Sequence, residues 1–388
     1  MDIQEKDGAY IAHTYSRQPV CFIRGKGSLL YDEEGREYID LSCGIGVTAL
    51  GFSNRPWIDA VTAQVHTLNH ISNLYHTIPQ VELAELLCRK AGMKKVFFSN
   101  SGAEANECAI KAARKYSIDK YNKDRNIIVT LLNSFHGRTV TTLSATGQEI
   151  FHKDFYPFTD GFLYTPADDL DAFIRLVEGN KNICAIMVEP IQGESGVHPL
   201  ARGFLQGIAD YAASHDILLI CDEVQSGNGR SGALYAYMDY GVHPDIVTTA
   251  KGLGGGLPIG ATMFNEKTEN VLTPGTHGST FGGNPICAAG ACAILSQIDD
   301  ALLQSVNVKG NFIKKSLIDA KNVEKVEGMG LMLGIKTGKP VQEIITRCLE
   351  KGVVVLSAKD KIRLLPALNI PMDTLEKGIA LLKEAIEE

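Results

Sequence analysis

Short apolar runs alternate with amphipathic stretches through the middle of the chain. Helices are predicted over 103–120 and 203–214. Strands separated by helices are typical of βαβ units in a mostly parallel sheet, whose ligand site lies at the carboxyl ends of the strands. The runs that predict buried strands are VFFSN at 96–100, IIVTLL at 127–132, CAIMVEP at 184–190, ILLICDE at 217–223 and DIVTTAK at 245–251.

The two chain ends have a different pattern. Residues 20–41 predict a β-meander that turns at residues 32–35. A long helix is predicted from 285 to about 305, and an amphipathic helix over 372–388 with Asp373 as its N-cap. We therefore expect an α/β fold in three parts, with a large domain at 51–284 and a smaller α+β domain built from residues 1–50 and 285–388.

Composition narrows the class of protein. The 388 residues carry 38 basic and 45 acidic side chains, a net charge of −7, which argues against a nucleic-acid binder. No apolar run approaches the roughly 18 residues of a membrane span, and the N-terminus lacks a secretory signal. The nine cysteines are scattered without a CxxC pair, so we expect reduced thiols in a cytoplasmic protein and no metal site.

The stretch after the first central strand is a candidate anion site. Ser101 and Glu104 have the spacing of a capping box, and Gly102 lets the backbone come close to a ligand. Free N–H groups at a helix start favour a phosphate. The same residues also suit an ordinary capped helix, and this motif alone does not decide between the two.

Two charged residues close later strands. Asp222 ends ILLIC, as an ATPase acid would, but the chain has no GxxxxGK[ST] motif. Residues 252–257, GLGGGL, differ at the last position from the GxGxxG motif of dinucleotide-binding proteins. Lys251 stands between the strand DIVTTA and this glycine-rich loop, where desolvation would favour the neutral amine that a Schiff base needs. The alternative is a surface lysine.

The three features together favour one cofactor. A phosphate cradle, a buried acid and a Schiff-base lysine are the groups that pyridoxal 5′-phosphate requires. The acid keeps the pyridine nitrogen protonated, so that the ring can accept electrons from a carbanion. The lysine holds the aldehyde and moves the proton.

The ordered motifs from Thr14–Val20 to Ile362–Pro366 resemble the class III aminotransferases, of the PLP-dependent fold type I. The resemblance implies that Lys251 carries the cofactor, that Asp222 pairs with the ring nitrogen and that Gln225 contacts the ring hydroxyl. It also implies a homodimer with shared active sites. The other implied cofactor contacts are phosphate binding by Ser101, Gly102 and Ala103, ring stacking by Phe135, and a phosphate contact to the neighbouring subunit by Thr280.

The same resemblance implies how substrates are recognised. Arg138 would bind the carboxylate of an acylated amino acid, and Arg363 the α-carboxylate of glutamate or 2-oxoglutarate. Glu194 would pair with Arg363 while an ω-amine donor is bound. Ser279 would lie near the substrate, and Ile45 would suit a donor whose α-amine is masked.

The implied reaction converts N2-acetyl-L-ornithine and 2-oxoglutarate to N-acetyl-L-glutamate 5-semialdehyde and L-glutamate, a step of arginine biosynthesis. Succinylornithine, N-succinyl-diaminopimelate, ornithine and GABA remain alternative donors. A protein of another class, a non-catalytic PLP-binding regulator or assembly protein, is a further alternative. We interpret His136 as a positioning residue.

Overall fold

The computed structural model describes residues 2–388. Helices and strands alternate through most of the chain, with short 3₁₀ turns at Glu149–Phe151 and Lys251–Leu253. The helices are α1 (Ile3–Tyr10), α2 (Cys43–Gly46), α3 (Arg55–Thr67), α4 (Ile78–Ala91), α5 (Gly102–Lys120), α6 (Val140–Ala145), α7 (Leu170–Glu178), α8 (Arg202–Ser214), α9 (Ala236–Tyr240), α10 (Pro285–Ser296), α11 (Asp300–Leu317), α12 (Val341–Glu350) and α13 (Met372–Glu387). The strands are β1 (Phe22–Lys26), β2 (Leu29–Asp32), β3 (Glu37–Asp40), β4 (Lys95–Ser99), β5 (Ile127–Leu131), β6 (Phe162–Thr165), β7 (Ile183–Val188), β8 (Ile191–Gln192), β9 (His198–Pro199), β10 (Leu218–Asp222), β11 (Ile246–Thr249), β12 (Gly260–Phe264), β13 (Val323–Met329), β14 (Met332–Thr337), β15 (Val353–Val354), β16 (Leu356–Ala358) and β17 (Lys361–Leu364).

The central sheet has seven strands in the order β4-β12-β11-β10-β7-β5-β6. All run parallel except β12, which is antiparallel to both β11 and β4. The predicted mostly parallel sheet flanked by helices is therefore confirmed as a mixed sheet. The sequence pattern located five of its strands but missed β6 and β12.

The middle of this sheet is buried on both faces. Strands β7, β10 and β11 are buried at every residue, because helices cover them on either side. Their carboxyl ends meet at one edge, which brings Asp222 and the end of β11 together. Ser99 at the end of β4 reaches the same edge, since it pairs with Gly260 at the start of the reversed β12.

The two chain ends meet in a second sheet, of order β1-β2-β3-β15, in which β15 from the C-terminal part pairs in parallel with β3. The predicted meander over 20–41 is present as β1 to β3. A further sheet has the order β13-β14-β17-β16. The pairing of β3 with β15 is expected for a domain that is built from both chain ends. The domain boundaries at residues 50 and 284 stay a prediction.

Two helix predictions were wrong in detail. The helix predicted from 285 to about 305 is broken into α10 and α11, because Asp299 caps a new helix by accepting from the Leu302 N–H at 2.8 Å. The last helix begins after Pro371, so Asp373 lies inside its first turn instead of capping it. Among residues 2–388, no one helix is long and apolar enough to cross a bilayer; only α10 and α11 taken together, across a 73° bend, have that length and composition.

Candidate active site

A cavity of about 610 Å³ opens at the carboxyl edge of the central sheet. It lies where β4, β10 and β11 end, which is the edge predicted from the strand pattern. Eight of the thirteen predicted site residues line it: Ser101, Gly102, Ala103, Phe135, Arg138, Asp222, Gln225 and Lys251.

The N-terminus of α5 forms one wall of this cavity. The Ser101 Oγ accepts a hydrogen bond from the Glu104 N–H at 3.2 Å and caps the helix, as predicted. The reciprocal bond differs from a capping box, since the Glu104 carboxylate accepts from the Asn100 N–H at 2.9 Å. A Cβ at Gly102 would lie 2.6 Å from the Val224 Cγ1 atom, so only glycine fits between the helix start and the loop after β10.

Asp222 lies at the base of the cavity and is only 4% exposed. Its Oδ2 accepts from the Asn106 Nδ2 at 2.7 Å and contacts the His136 Nδ1 at 2.8 Å. Its Oδ1 accepts from the Val224 N–H at 3.0 Å. Because a carboxylate only accepts, the proton in the histidine contact is on Nδ1. The charge of Asp222 is therefore held in one orientation by three donors.

This network shows what sequence reasoning missed. His136 was interpreted as a positioning residue without a proton-transfer partner, and the structure gives it Asp222 as a partner. Asn106 had no role assigned. Its amide also donates to the His136 backbone oxygen at 2.7 Å, so it fixes both neighbours. The available signal was an asparagine one turn into α5, on a face whose next positions, Ala109, Ile110 and Ala113, are buried and apolar.

Lys251 follows β11 in a strained backbone conformation, with φ of +45°. The Asn228 Nδ2 donates to the Ala250 oxygen at 3.1 Å and to the Thr249 Oγ1 at 2.9 Å, which holds the backbone before the lysine. Desolvation lowers the pKa of the Lys251 amine, and Glu194 and Arg363 act on it in opposite directions. The amine therefore loses its proton more readily than that of an exposed lysine.

A buried glutamate organises the opposite wall. The Glu189 carboxylate accepts from the Phe135 N–H at 2.8 Å and the Gly193 N–H at 3.3 Å. Burial raises the pKa of this carboxyl. The Phe135 ring packs edge-on against Phe151 at 5.7 Å between ring centroids. The backbone that carries Phe135 is thus tied to the loop after β7.

The two predicted substrate arginines lie in different surroundings. Arg138 is exposed, and its guanidinium carbon lies 4.3 Å from the centroid of the Phe151 ring. Arg363 is only 3% exposed, and its Nη1 lies 2.6 Å from the Glu194 Oε1. Burial acts to raise the pKa of Glu194, but the charge and hydrogen bond of Arg363 outweigh it, so the pKa is lowered.

The remaining predicted residues lie outside the cavity lining. Arg363 and Glu194 are linked to the lining by Gln225, which forms hydrogen bonds with both. Ser279 lies beside the start of α5, where its Oγ accepts from the Asn100 amide at 3.4 Å. Thr280 is exposed and lines a separate recess with His70 and Gln80.

Ile45 is also absent from the cavity lining. It lies on a turn with four consecutive residues of positive φ, Cys43 to Gly46, and is 39% exposed. Tyr15 does line the cavity, although no role was predicted for it. The single chain therefore brings the predicted cofactor residues together with the exception of Thr280, and it leaves four of the predicted substrate residues outside the lining: Ile45, Glu194, Ser279 and Arg363.

The cavity offers the groups that pyridoxal 5′-phosphate needs. The helix start suits a phosphate because its backbone approaches without a Cβ at Gly102. Asp222 presents a carboxylate held by hydrogen bonds, and Lys251 presents an amine whose pKa is lowered by desolvation. No residue in this lining conflicts with such a cofactor.

The comparisons with known proteins agree with this site. The family model for class-III aminotransferases matches residues 10–386, so the chain belongs to that family. The predicted family and the fold type I architecture are thereby confirmed.

Individual members of this family are similar to the chain over nearly their whole length. The acetylornithine aminotransferase of Haemophilus ducreyi is 46% identical over 388 residues, which cover 100% of this chain and 98% of that protein. The solved acetylornithine aminotransferase of Elizabethkingia anophelis is similar with a TM-score of 0.88 and 30% identity, over 99% of this chain and 97% of that one. The solved ornithine aminotransferase of Toxoplasma gondii ME49 is similar with a TM-score of 0.94 and 29% identity, over 99% of this chain and 94% of that one.

Proposed function

We propose that this aminotransferase moves the ω-amino group of N2-acetyl-L-ornithine to 2-oxoglutarate, giving N-acetyl-L-glutamate 5-semialdehyde and L-glutamate. The single observation that carries the proposal is the buried Arg363–Glu194 pair, at 2.6 Å, beside a lysine-bearing cavity that also holds an exposed arginine. The relatives named acetylornithine aminotransferase, at full-length coverage, support this donor and a place in arginine biosynthesis.

The cofactor is pyridoxal 5′-phosphate, which when bound supplies an electron sink for the carbanion beside the reacting nitrogen. Lys251 would hold it covalently, and Asp222 would face its ring nitrogen. Three donors already fix Asp222, so this anion needs no reorganisation during the reaction. The further contacts that we propose are Ser101, Gly102 and Ala103 to the phosphate, Phe135 to the ring face and Gln225 to the ring hydroxyl.

Lys251 also serves as the proton carrier in this proposal. Desolvation lowers its pKa, so a larger fraction of the amine is neutral near pH 7 than for an exposed lysine. Once a substrate amine has displaced Lys251, the Lys251 Nζ can take the proton from the amine-bearing carbon and return it at a different atom. The two half-reactions then follow one another with ping-pong kinetics.

Two arginines allow one cavity to accept two kinds of substrate. Arg138 has no carboxylate partner within residues 2–388 and is free to bind the distal carboxylate of the donor. Arg363 is neutralised by Glu194, so it offers no net charge while an ω-amine donor is bound. Its contact with Glu194 is through Nη1 alone, and its Nε has no partner. A bidentate α-carboxylate would satisfy that Nε and displace Glu194.

The residues that the single chain leaves exposed support the homodimer that we propose. Thr280 is exposed and lines a recess separate from the chain's own cavity, which suits a contact to the cofactor phosphate of a partner subunit. Large apolar side chains are exposed near it, with Phe281 at 59%, Leu74 at 88% and Ile78 at 74%. A second copy of the chain would bury this surface. Nine unpaired cysteines suit the cytoplasm as the compartment.

A panel of amino donors with 2-oxoglutarate tests the donor assignment. N2-acetyl-L-ornithine should give the highest kcat/KM, since the relatives that match over the full length are named acetylornithine aminotransferase. Higher values for ornithine or GABA would replace this donor by another ω-amino acid. Absence of turnover with every donor, despite bound cofactor, would favour the non-catalytic alternative.

A further inference from the structure

The carboxamide of Gln225 lies between the two charges of the Arg363–Glu194 pair. Its Nε2 donates to the Glu194 Oε1 at 3.0 Å, and its Oε1 accepts from the Arg363 Nη1 at 3.1 Å. With the direct 2.6 Å contact between the charged groups, the three side chains form a closed triangle of hydrogen bonds. Gln225 is 8% exposed and is the one member that also lines the cavity.

The position of this carboxamide depends on Gly193. A Cβ at residue 193 would lie 2.4 Å from the Gln225 Oε1 and 2.5 Å from its Cδ. The absence of a side chain at Gly193 therefore creates the space that the carboxamide fills. The charges also fix the orientation of the amide, because turning it around would place its NH₂ group against the guanidinium.

The number of bonds to Gln225 differs between the two forms of the pair. In the closed form that the structure shows, Gln225 bonds to both Glu194 and Arg363. When a substrate α-carboxylate replaces Glu194, Gln225 can keep its bond to Nη1 but loses its bond to the glutamate. Glu194 is 26% exposed, so water can receive it as it leaves. Gln225 thus stabilises the closed form by one additional charge-assisted hydrogen bond.

We propose that Gln225 is a specificity-determining residue that biases the Arg363–Glu194 pair toward its closed form. It disfavours α-carboxylate substrates relative to ω-amine donors, and the closed form keeps the charge of Arg363 covered during the first half-reaction. The inference rests on the proposed function, which supplies the two substrate classes. It adds a role to the ring-hydroxyl contact expected for this residue.

A double-mutant cycle separates these two roles. Gln225→Met keeps an unbranched side chain of similar length but cannot bridge the pair. It should raise the ratio of kcat/KM for glutamate over kcat/KM for the ω-amine donor by about tenfold. Loss of a cofactor contact affects both half-reactions and cancels in this ratio. In a Glu194→Ala background the same substitution should change the ratio less than about twofold, because the partner of the additional bond is gone.

A binding measurement gives a readout that needs no turnover. Glutarate, which carries two carboxylates but no amino or oxo group, is titrated into the holoenzyme by calorimetry. Gln225→Met should tighten glutarate binding by about tenfold in the wild-type background and leave it unchanged in Glu194→Ala. Equal factors in both backgrounds, or weaker glutarate binding, would overturn the proposal. Since glutarate is not converted, this result stands whether or not the donor panel supports N2-acetyl-L-ornithine.

Discussion

The floor of the cavity, formed by Asn106, His136, Asp222 and Lys251, differs from its rim, formed by Tyr15 and Arg138. The first three floor residues are between 1% and 4% exposed and are joined by hydrogen bonds of 2.7 to 2.8 Å. Tyr15 is 75% exposed, and the exposed Arg138 lies against the rings of Phe135 and Phe151. The floor is therefore buried and joined by hydrogen bonds within one chain, whereas the rim is exposed.

This difference follows from what each region has to do. A group that stabilises charge in a transition state works best when it is already oriented, and burial with three donors achieves that for Asp222. A group that must accept chemically different substrates has to exchange partners. Changes to the floor should thus affect both half-reactions together, and changes at the substrate arginines should separate them.

The largest effect is expected at the floor, from Lys251→Ala. Without the amine there is neither a covalent attachment point nor a proton carrier, so turnover should fall by at least about 10³-fold in both half-reactions. The measurement is single-turnover kinetics with each substrate alone. Borohydride reduction followed by mass spectrometry should find the cofactor on residue 251 in the wild type and not in the variant.

A matched control for this change is Lys361→Ala. Lys361, on β17, forms an ion pair at 3.1 Å with Glu327 on β13 and does not line the cavity. Loss of this lysine should leave the rates of both half-reactions within about twofold of wild type. A Lys251→Ala variant that kept substantial turnover would show that the floor is not the centre of the chemistry.

The next largest effects separate the two arginines. Arg138→Ala should slow the half-reaction with the ω-amine donor, and Arg363→Ala the half-reaction with glutamate. Each should lose about 2–5 kcal/mol of transition-state stabilisation in its own half-reaction, or roughly 30-fold or more. The measurement is kcat/KM for each half-reaction by rapid mixing.

Lysine at the same positions provides the comparison within this experiment. Arg363→Lys keeps the charge but not the two-pronged geometry, so it should recover part of the loss. If Arg138→Ala and Arg363→Ala slowed both half-reactions equally, the two arginines would not divide the substrates between them.

The sequence predicted the fold where a local signal existed. The apolar runs at β7, β10 and β11 are buried on both sides and stand out as continuous hydrophobic segments. Strand β12 follows a glycine-rich loop and reverses direction, which no pattern of residues along the chain indicates. The break between α10 and α11 depends on the cap at Asp299, which the helix prediction over 285–305 did not take into account.

The site was predictable to the extent that its residues carry the chemistry themselves. Lys251 and Asp222 could be identified because each follows an apolar strand and bears a charge. Asn106, Asn228 and Glu189 could not, because they act by orienting other groups through contacts that only the folded chain forms. The bridging position of Gln225 likewise depends on space left by Gly193, which is 32 residues away.

The smallest predicted effect tests how the floor is supported, through the fully buried Glu223 next to Asp222. Its carboxyl accepts from the Tyr237 N–H at 2.7 Å and from the Ser226 Oγ at 2.6 Å. Burial raises the pKa of Glu223 to about 7, from 4.5 in an exposed glutamate. The folded state thus favours the protonated form, and the unfolded chain binds fewer protons than the folded one between these two pH values.

The sign of the effect on stability follows directly. The contribution of Glu223 is fully present below pH 4.5, decreases as the pH rises toward 7, and is constant above it. The loss amounts to at most about 3 kcal/mol of unfolding free energy. Glu223→Gln keeps the shape and cannot ionise: its amide oxygen can accept from the Tyr237 N–H, and its amide nitrogen can donate to the Ser226 Oγ. It should therefore remove this part of the pH dependence. Denaturant unfolding of both proteins at pH 5 and pH 8 measures the difference: the variant should gain stability relative to wild type at pH 8. If the stability difference between variant and wild type were the same at pH 5 and pH 8, the Glu223 carboxyl would be ionised at both pH values. Two buried negative charges, on Asp222 and Glu223, would then lie side by side.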